Sequence, residues 1–277
     1  MHNLGQTRSS QKHNHLLLTP DTFVRTALPG MKACSAIVHT GPAMGAKFTE
    51  YTAEFESTGG ELGATPAQRF LYVLEGQLKV EVDGHANEVG SRGYAYLPEG
   101  TPHRVVATKP SRVVVIEKQY QPLASFESPQ AIISSEGAAS SHALGDDSDL
   151  QVKCLLPDTM SFDFAVNSMV YQPGAALSMV EMHVMEHGLL MLEGGGIYRL
   201  GDWWYPVTAG DFIWMAPWCP QWFGAIGKIP AKYLIYKDWN RHPLASAPFS
   251  GTPLSGTSPD AAPSGTSPGR RRSGKSR

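Results

Sequence analysis

Cysteine is scarce. The 277 residues hold three, Cys34, Cys154 and Cys219, too few and too far apart for a disulfide framework or a zinc-finger spacing. They are expected to be small buried hydrophobes in a reducing compartment. An excess of charge is missing too: the formal net charge of −2 supplies no basic face for nucleic acid or for an anionic membrane. No apolar run approaches the roughly 20 residues of a membrane span. The N-terminal stretch "MHNLGQTRSSQKHNHLLLTP" has only a short leucine run where a signal peptide has about 7–15 apolar residues. A soluble, cytoplasmic chain without nucleic-acid or membrane partners is therefore expected.

A hydrophobic content of 42% is enough for a substantial core. From Pro243 the composition turns to Pro, Gly and Ser, ending in "GRRRSGKSR", and too little apolar surface remains to offset chain entropy. Residues 243–277 are expected to be a disordered basic tail. Ahead of it lies an internal repeat. The segment from Leu71 overlies that from Leu189 without gaps, at an offset of 118 residues. Leu74-Glu75-Gly76 falls on Leu192-Glu193-Gly194, Tyr96 on Trp214, and Pro102-His103 on Pro220-Gln221. Each copy consists of short strand-like runs punctuated by glycine or proline, with no long helical periodicity, such as "FLYVLEG", "QLKVEV" and "RVVVIEK" in the first. This pattern predicts an all-β chain of two tandem antiparallel jelly-roll barrels. The expected organisation is an N-terminal extension over 1–40, a first barrel over 41–125, a linker over 126–160 and a second barrel over 161–242.

The stretch "EMHVMEHG" places Glu181, His183 and His187 at positions of equal parity. On continuous extended chain their side chains would leave one face, toward the barrel interior. Imidazole with carboxylate suits a divalent ion such as Mn, Fe or Zn, and the lack of thiolates disfavours structural zinc. A fourth ligand is expected from the facing strand, where Gln221 stands in place of His103 of the first copy. The positions equivalent to the other three are Gly63, Thr65 and Arg69, so the first barrel is expected to hold no metal and to be structural.

These residues, with "LEGGGIYRLGDWWYPVTAGDFIWMAPWCPQWF" after them, resemble the (S)-ureidoglycine aminohydrolases, bicupin enzymes of purine-ring nitrogen recovery. The similarity is strongest from about Met160 to Pro243 and weaker over the first barrel. General cupins share a looser His/Glu pattern; this family uses E-x-H-x3-H with a glutamine in place of the last histidine, as in Glu181, His183, His187 and Gln221. The resemblance implies Mn(II) as the bound metal and a homo-oligomeric enzyme acting on a small ureide. It also implies substrate contacts from Tyr198, Tyr233, Lys237 and Glu181. Plant members of the family carry an N-terminal targeting segment not seen here, so their endoplasmic-reticulum location is not carried over.

The implied reaction is hydrolysis of an aminal, with loss of ammonia and formation of (S)-ureidoglycolate. Lys237 is implied as the group that transfers a proton, or as the cation that pairs with the substrate carboxylate; Glu181 is a ligand and a second proton-handling group. Tyr198 and Tyr233 are implied to orient the ureido and carboxylate ends. Two rival readings are an oxalate decarboxylase-like or dioxygenase bicupin, which Gln221 disfavours, and a ligand-binding bicupin without activity, which the intact second site disfavours.

Overall fold

The computed structural model describes residues 5–242; the expected basic tail lies outside the described residues. Apart from two short 3-10 turns, Pro20–Thr22 and Pro42–Met44, the regular structure is antiparallel strand. Sequence pattern decides which sheet each strand joins. Gln77–Val82 alternates, burying Leu78, Val80 and Val82 while Gln77, Lys79 and Glu81 remain half-exposed, as in a sheet wetted on one face. Gln68–Glu75 and His187–Glu193 are apolar on both faces, and both faces are covered.

Each barrel pairs one large sheet with a three-stranded one. The first three-stranded sheet runs His103–Ala107, Gln77–Val82, His85–Gly90. Its counterpart runs Gln221–Ala225, Gly195–Leu200, Trp203–Thr208, so the 118-residue offset holds strand for strand. Gly76 and Gly194 occupy equivalent tight turns with φ of +87° and +63°. A Cβ at these positions would collide with the carbonyl oxygens of Pro110 and Pro230, which is why the repeat keeps "LEG" in both copies.

The segments read as an extension and a linker are woven into the sheets. His15–Leu18 pairs with Phe212–Met215 of the second barrel, Leu16 opposite Trp214. Ile132–Ser135 pairs with Gly93–Leu97 of the first, Ile132 opposite Tyr96. Each half thus lends an edge strand to the other. Within the same two segments, Ser35–Thr40 stays with the first large sheet, and Ser141–Leu144 and Asp147–Cys154 with the second. Arg8 clamps the exchanged N-terminal strand through a two-pronged ion pair with the buried Asp211, at 2.6 and 2.8 Å.

Three apolar cores result. Leu71, Val73, Val80 and Val115 fill the first barrel; Leu189, Met191, Phe223 and Ile235 fill the second. Between the large sheets lies a third core, with Phe70, Tyr72, Tyr96, Phe164, Trp214 and Tyr236. Buried polar networks cross this interface. Asp163 accepts from Lys118 Nζ at 2.7 Å, Gln68 Nε2 at 2.7 Å and Gln121 N at 2.9 Å. Glu136 accepts from Lys232, Tyr72 and Ser168 at 2.6–2.8 Å.

Glu50 has no such network. It is wholly buried against Gly188, its Oε2 has no hydrogen-bond partner, and burial pushes its carboxyl up to about 8. Between an ordinary carboxyl pKa of 4.5 and that value, the folded chain keeps a proton that the unfolded chain has released, so stability falls as pH rises across the window. Glu50→Met is expected to match the wild type in melting temperature at pH 5 and to exceed it at pH 8.5 by on the order of 5–10 °C. Parallel melting-versus-pH curves for the two proteins would show that Glu50 does not govern this dependence.

The cysteines are all free: Cys219 is buried, Cys34 half-buried and Cys154 exposed. The expectation that all three are buried fails at Cys154, which is at the end of a strand that opens to solvent.

Candidate metal and substrate site

The structure brings Glu181, His183, His187 and Gln221 together, although not along one strand. Glu181 makes an isolated two-way bridge with Gln221, N to O at 2.8 Å and O to N at 2.9 Å. Residues 182–186 then leave the extended path, and His187 opens the strand His187–Glu193. The equal-parity reading is thus corrected in its route: a bent loop, held where Trp218 N–H donates to the His183 carbonyl at 2.7 Å, carries the middle ligand candidate inward.

His183 Nε2 lies 3.3 Å from His187 Nε2 and 2.8 Å from the Gln221 side-chain nitrogen; the Glu181 carboxylate is 4.0 Å away. Burial holds both imidazoles below their usual range, His187 well below, so both are neutral at pH 7. His187 Nδ1–H donates to the Tyr236 carbonyl at 3.2 Å, which leaves the Nε2 lone pair facing the other donors. Two ligands at about 2.1 Å from one first-row ion stand roughly 3 Å apart at right angles and about 4 Å apart when opposed. The observed separations fall in that range. Turning the Gln221 amide end for end, a choice its near-symmetric shape leaves open, presents Oε1 to the same point. Among the described residues no group of three His, Cys, Asp or Glu side chains is in metal-holding geometry; the approaches short enough for a shared ion are those of His183 to His187 and to the Gln221 amide.

Beneath these donors the barrel is lined with phenols. Tyr198, Tyr233 and Tyr171 are buried, and burial raises each well above the usual phenol pKa, so each keeps its proton. Phe223 touches all three rings, at centroid distances of 5.4, 5.7 and 4.9 Å respectively. Tyr171 OH and Tyr233 OH are 2.7 Å apart. The Glu181 carboxylate bears electrostatically on all three phenols, raising each further. Lys237 pairs in register directly with His187, so the two side chains share a face, and its ammonium lies 4.2 Å above the Trp239 ring. Lys237 thus joins the donors at the barrel mouth, whereas Tyr198 and Tyr233 lie in the barrel core. Tyr171 was not singled out, although its parity within Phe164–Tyr171 points it inward with Met169.

In the first barrel Arg69 occupies the place of His187. Its guanidinium, 3% exposed, donates to Glu117 Oε1 at 2.6 and 2.8 Å and to the Gly63 carbonyl at 2.8 Å, and lies 3.1 Å from His103 Nε2. A built-in cation stands where the second barrel gathers its donors.

The Cupin domain family matches residues 57–117 and 167–236, the cores of the two barrels. The (S)-ureidoglycine aminohydrolase of Arabidopsis thaliana is 38% identical over 242 residues, covering 87% of this chain and 80% of that protein. The chain belongs to the (S)-ureidoglycine aminohydrolase family. It is accordingly an enzyme of the bicupin class. Among solved structures, protein Ylba from E. coli superposes with a TM-score of 0.76 at 28% identity, over 86% of this chain and 97% of that one. Oxalate decarboxylase from Bacillus subtilis shares the fold alone, with a TM-score of 0.64 at 11% identity over 85% of this chain and 80% of its own.

Proposed function

We propose that this protein hydrolyses (S)-ureidoglycine to (S)-ureidoglycolate and ammonia, with Mn(II) held by Glu181, His183, His187 and Gln221. The observation that carries this reading is the convergence of those four side chains over a tyrosine-lined barrel with Lys237 on the adjoining strand. When bound, the ion supplies a Lewis-acid charge that screens the substrate carboxylate and favours hydroxide over water.

The chain's own residues supply orientation and proton transfer. Tyr198 and Tyr233, kept protonated by burial, donate hydrogen bonds to the oxygens of the ureido and carboxylate ends and fix which face of the central carbon meets water. A C–O bond forms from water as the C–N bond to the amino group breaks. Lys237 carries the proton to the departing nitrogen, so that ammonia leaves neutral; Glu181, next to the same centre, takes the proton that water loses. The apolar wall of Phe223, Met191 and Ile235 limits bulk water to the mouth.

The test is ammonia release from freshly generated (S)-ureidoglycine with and without Mn(II), against its uncatalysed decay. Metal-dependent acceleration with (S)-ureidoglycolate as product is expected; none from folded, metal-loaded protein would end this reading. Lys237→Met should keep its metal and lose about 100-fold or more in kcat. Near-normal turnover in that variant would remove Lys237 from proton transfer.

A further inference from the structure

Tyr171 is fully buried, and the Tyr233 hydroxyl is its one hydrogen-bond partner among the described residues, at 2.7 Å. It sits at the end of Phe164–Tyr171, opposite Ala231, one strand farther from His187 than Tyr233. Its ring is 5.5 Å from that of Tyr233, and the edge of Phe223 meets it at 88°. Packing on this scale leaves the Tyr171 ring no alternative position, so its oxygen is a fixed point in the wall.

Two protonated hydroxyls share one hydrogen bond, so one hydrogen is left over. A buried O–H with a single neighbour donates to that neighbour, because an unsatisfied donor away from water is costly. In the free pair, both oxygens are buried and either can be the donor; once a substrate oxygen stands at Tyr233, only Tyr171 is left with a single partner, so Tyr171 becomes the donor and Tyr233 the acceptor. The Tyr233 hydrogen is then directed onward, away from Tyr171. A tyrosine so arranged offers the cavity a hydrogen and rejects a group that would itself donate.

We propose that Tyr171 is a positioning residue that fixes Tyr233 as a donor and makes this part of the site selective for an oxygen acceptor, a carboxylate or ureido carbonyl, over an amino group. The inference rests on the proposed hydrolase reading and deepens it. It explains how a small substrate with an amino group, a carboxylate and a ureido group on one carbon is seated in one of several similar orientations.

The experiment is a double-mutant cycle on metal-loaded protein, with KM and kcat for ammonia release from (S)-ureidoglycine measured for the wild type, Tyr171→Phe, Tyr233→Phe and the double variant. Tyr171→Phe removes one oxygen atom and keeps the ring packing. KM is expected to rise roughly fivefold to tenfold, the worth of one misdirected hydrogen bond, with kcat within about threefold and metal content unchanged. The double variant should be no worse than Tyr233→Phe alone, because Tyr171 acts only through Tyr233. An unchanged KM in Tyr171→Phe, or losses that simply add in the double variant, would overturn the inference and leave the hydrolase reading standing. A wild type that does not accelerate ammonia release would overturn both.

Discussion

His187→Ala is expected to lose its bound metal and to release ammonia from (S)-ureidoglycine no faster than the uncatalysed control. His187 is buried, kept neutral by that burial, and tied through Nδ1 to the Tyr236 carbonyl, so its Nε2 lone pair is committed to the site before any ion arrives. Alanine removes one of two imidazoles and leaves the other on a bent loop. Mn(II) is near the weak end of the divalent affinity order, so it depends on a full ligand set. Loss of an outer partner of a ligand already costs ~10–100-fold in metal affinity, and loss of the ligand itself should cost at least the upper end of that range. The fold should survive, because a single buried truncation of this kind costs about 1–3 kcal/mol against a total of roughly 5–15. Elemental analysis and the ammonia assay check the two effects separately. His103→Ala, in the first barrel at the place equivalent to Gln221, should change neither. Wild-type metal content in His187→Ala would take His187 out of the ligand set.

Asp163→Ala carries the largest expected effect on stability. Asp163 is completely buried between the two barrels and its carboxylate meets the Lys118 ammonium, itself 3% exposed, at 2.7 Å. Truncation strands a buried cation, which costs about 3–5 kcal/mol when nothing else compensates. Asp238 Oδ1 at 3.7 Å from the same ammonium softens the loss, so about 3 kcal/mol is expected from urea unfolding. Removing both charges in Lys118→Met/Asp163→Leu should recover much of it, because two apolar side chains of similar size need no counter-charge. A single variant within about 1 kcal/mol of the wild type would mean that water already reaches the pair.

Much of this was legible in the chain because its features are local or repeated. The offset from Leu71 to Leu189 aligns strands, turns and the substitution of Gln221 for His103, and "EMHVMEHG" marks three of the four proposed donors. The same alignment set Arg69 against His187, yet charge alone did not show that a guanidinium would sit among His103, Glu117 and the Gly63 carbonyl. The bend over residues 182–186 escaped because period-two parity presumes extended backbone. Glu50 and Tyr171 escaped for a different reason. Each reads as an ordinary position in an alternating strand, and each acquires its character from a partner distant in sequence, the packed Gly188 in one case and the Tyr233 hydroxyl in the other. "HLLL" and "AIISS" were passed over because a four-residue strand in a long polar segment has no periodicity to detect; its register comes wholly from the edge it joins.

Those two short strands decide what can be cut from this protein. Separated from its partner, the first half would expose the edge of Gly93–Leu97 and carry His15–Leu18 with nothing to pair; the second half would be left in the mirror situation at Phe212–Met215. Open edges of this kind recruit other chains. The second barrel, although it holds every proposed ligand and substrate contact, is consequently not a minimal enzyme. The indivisible unit is the pair, and the half expected to hold no metal is the scaffold without which the other half has no closed edge.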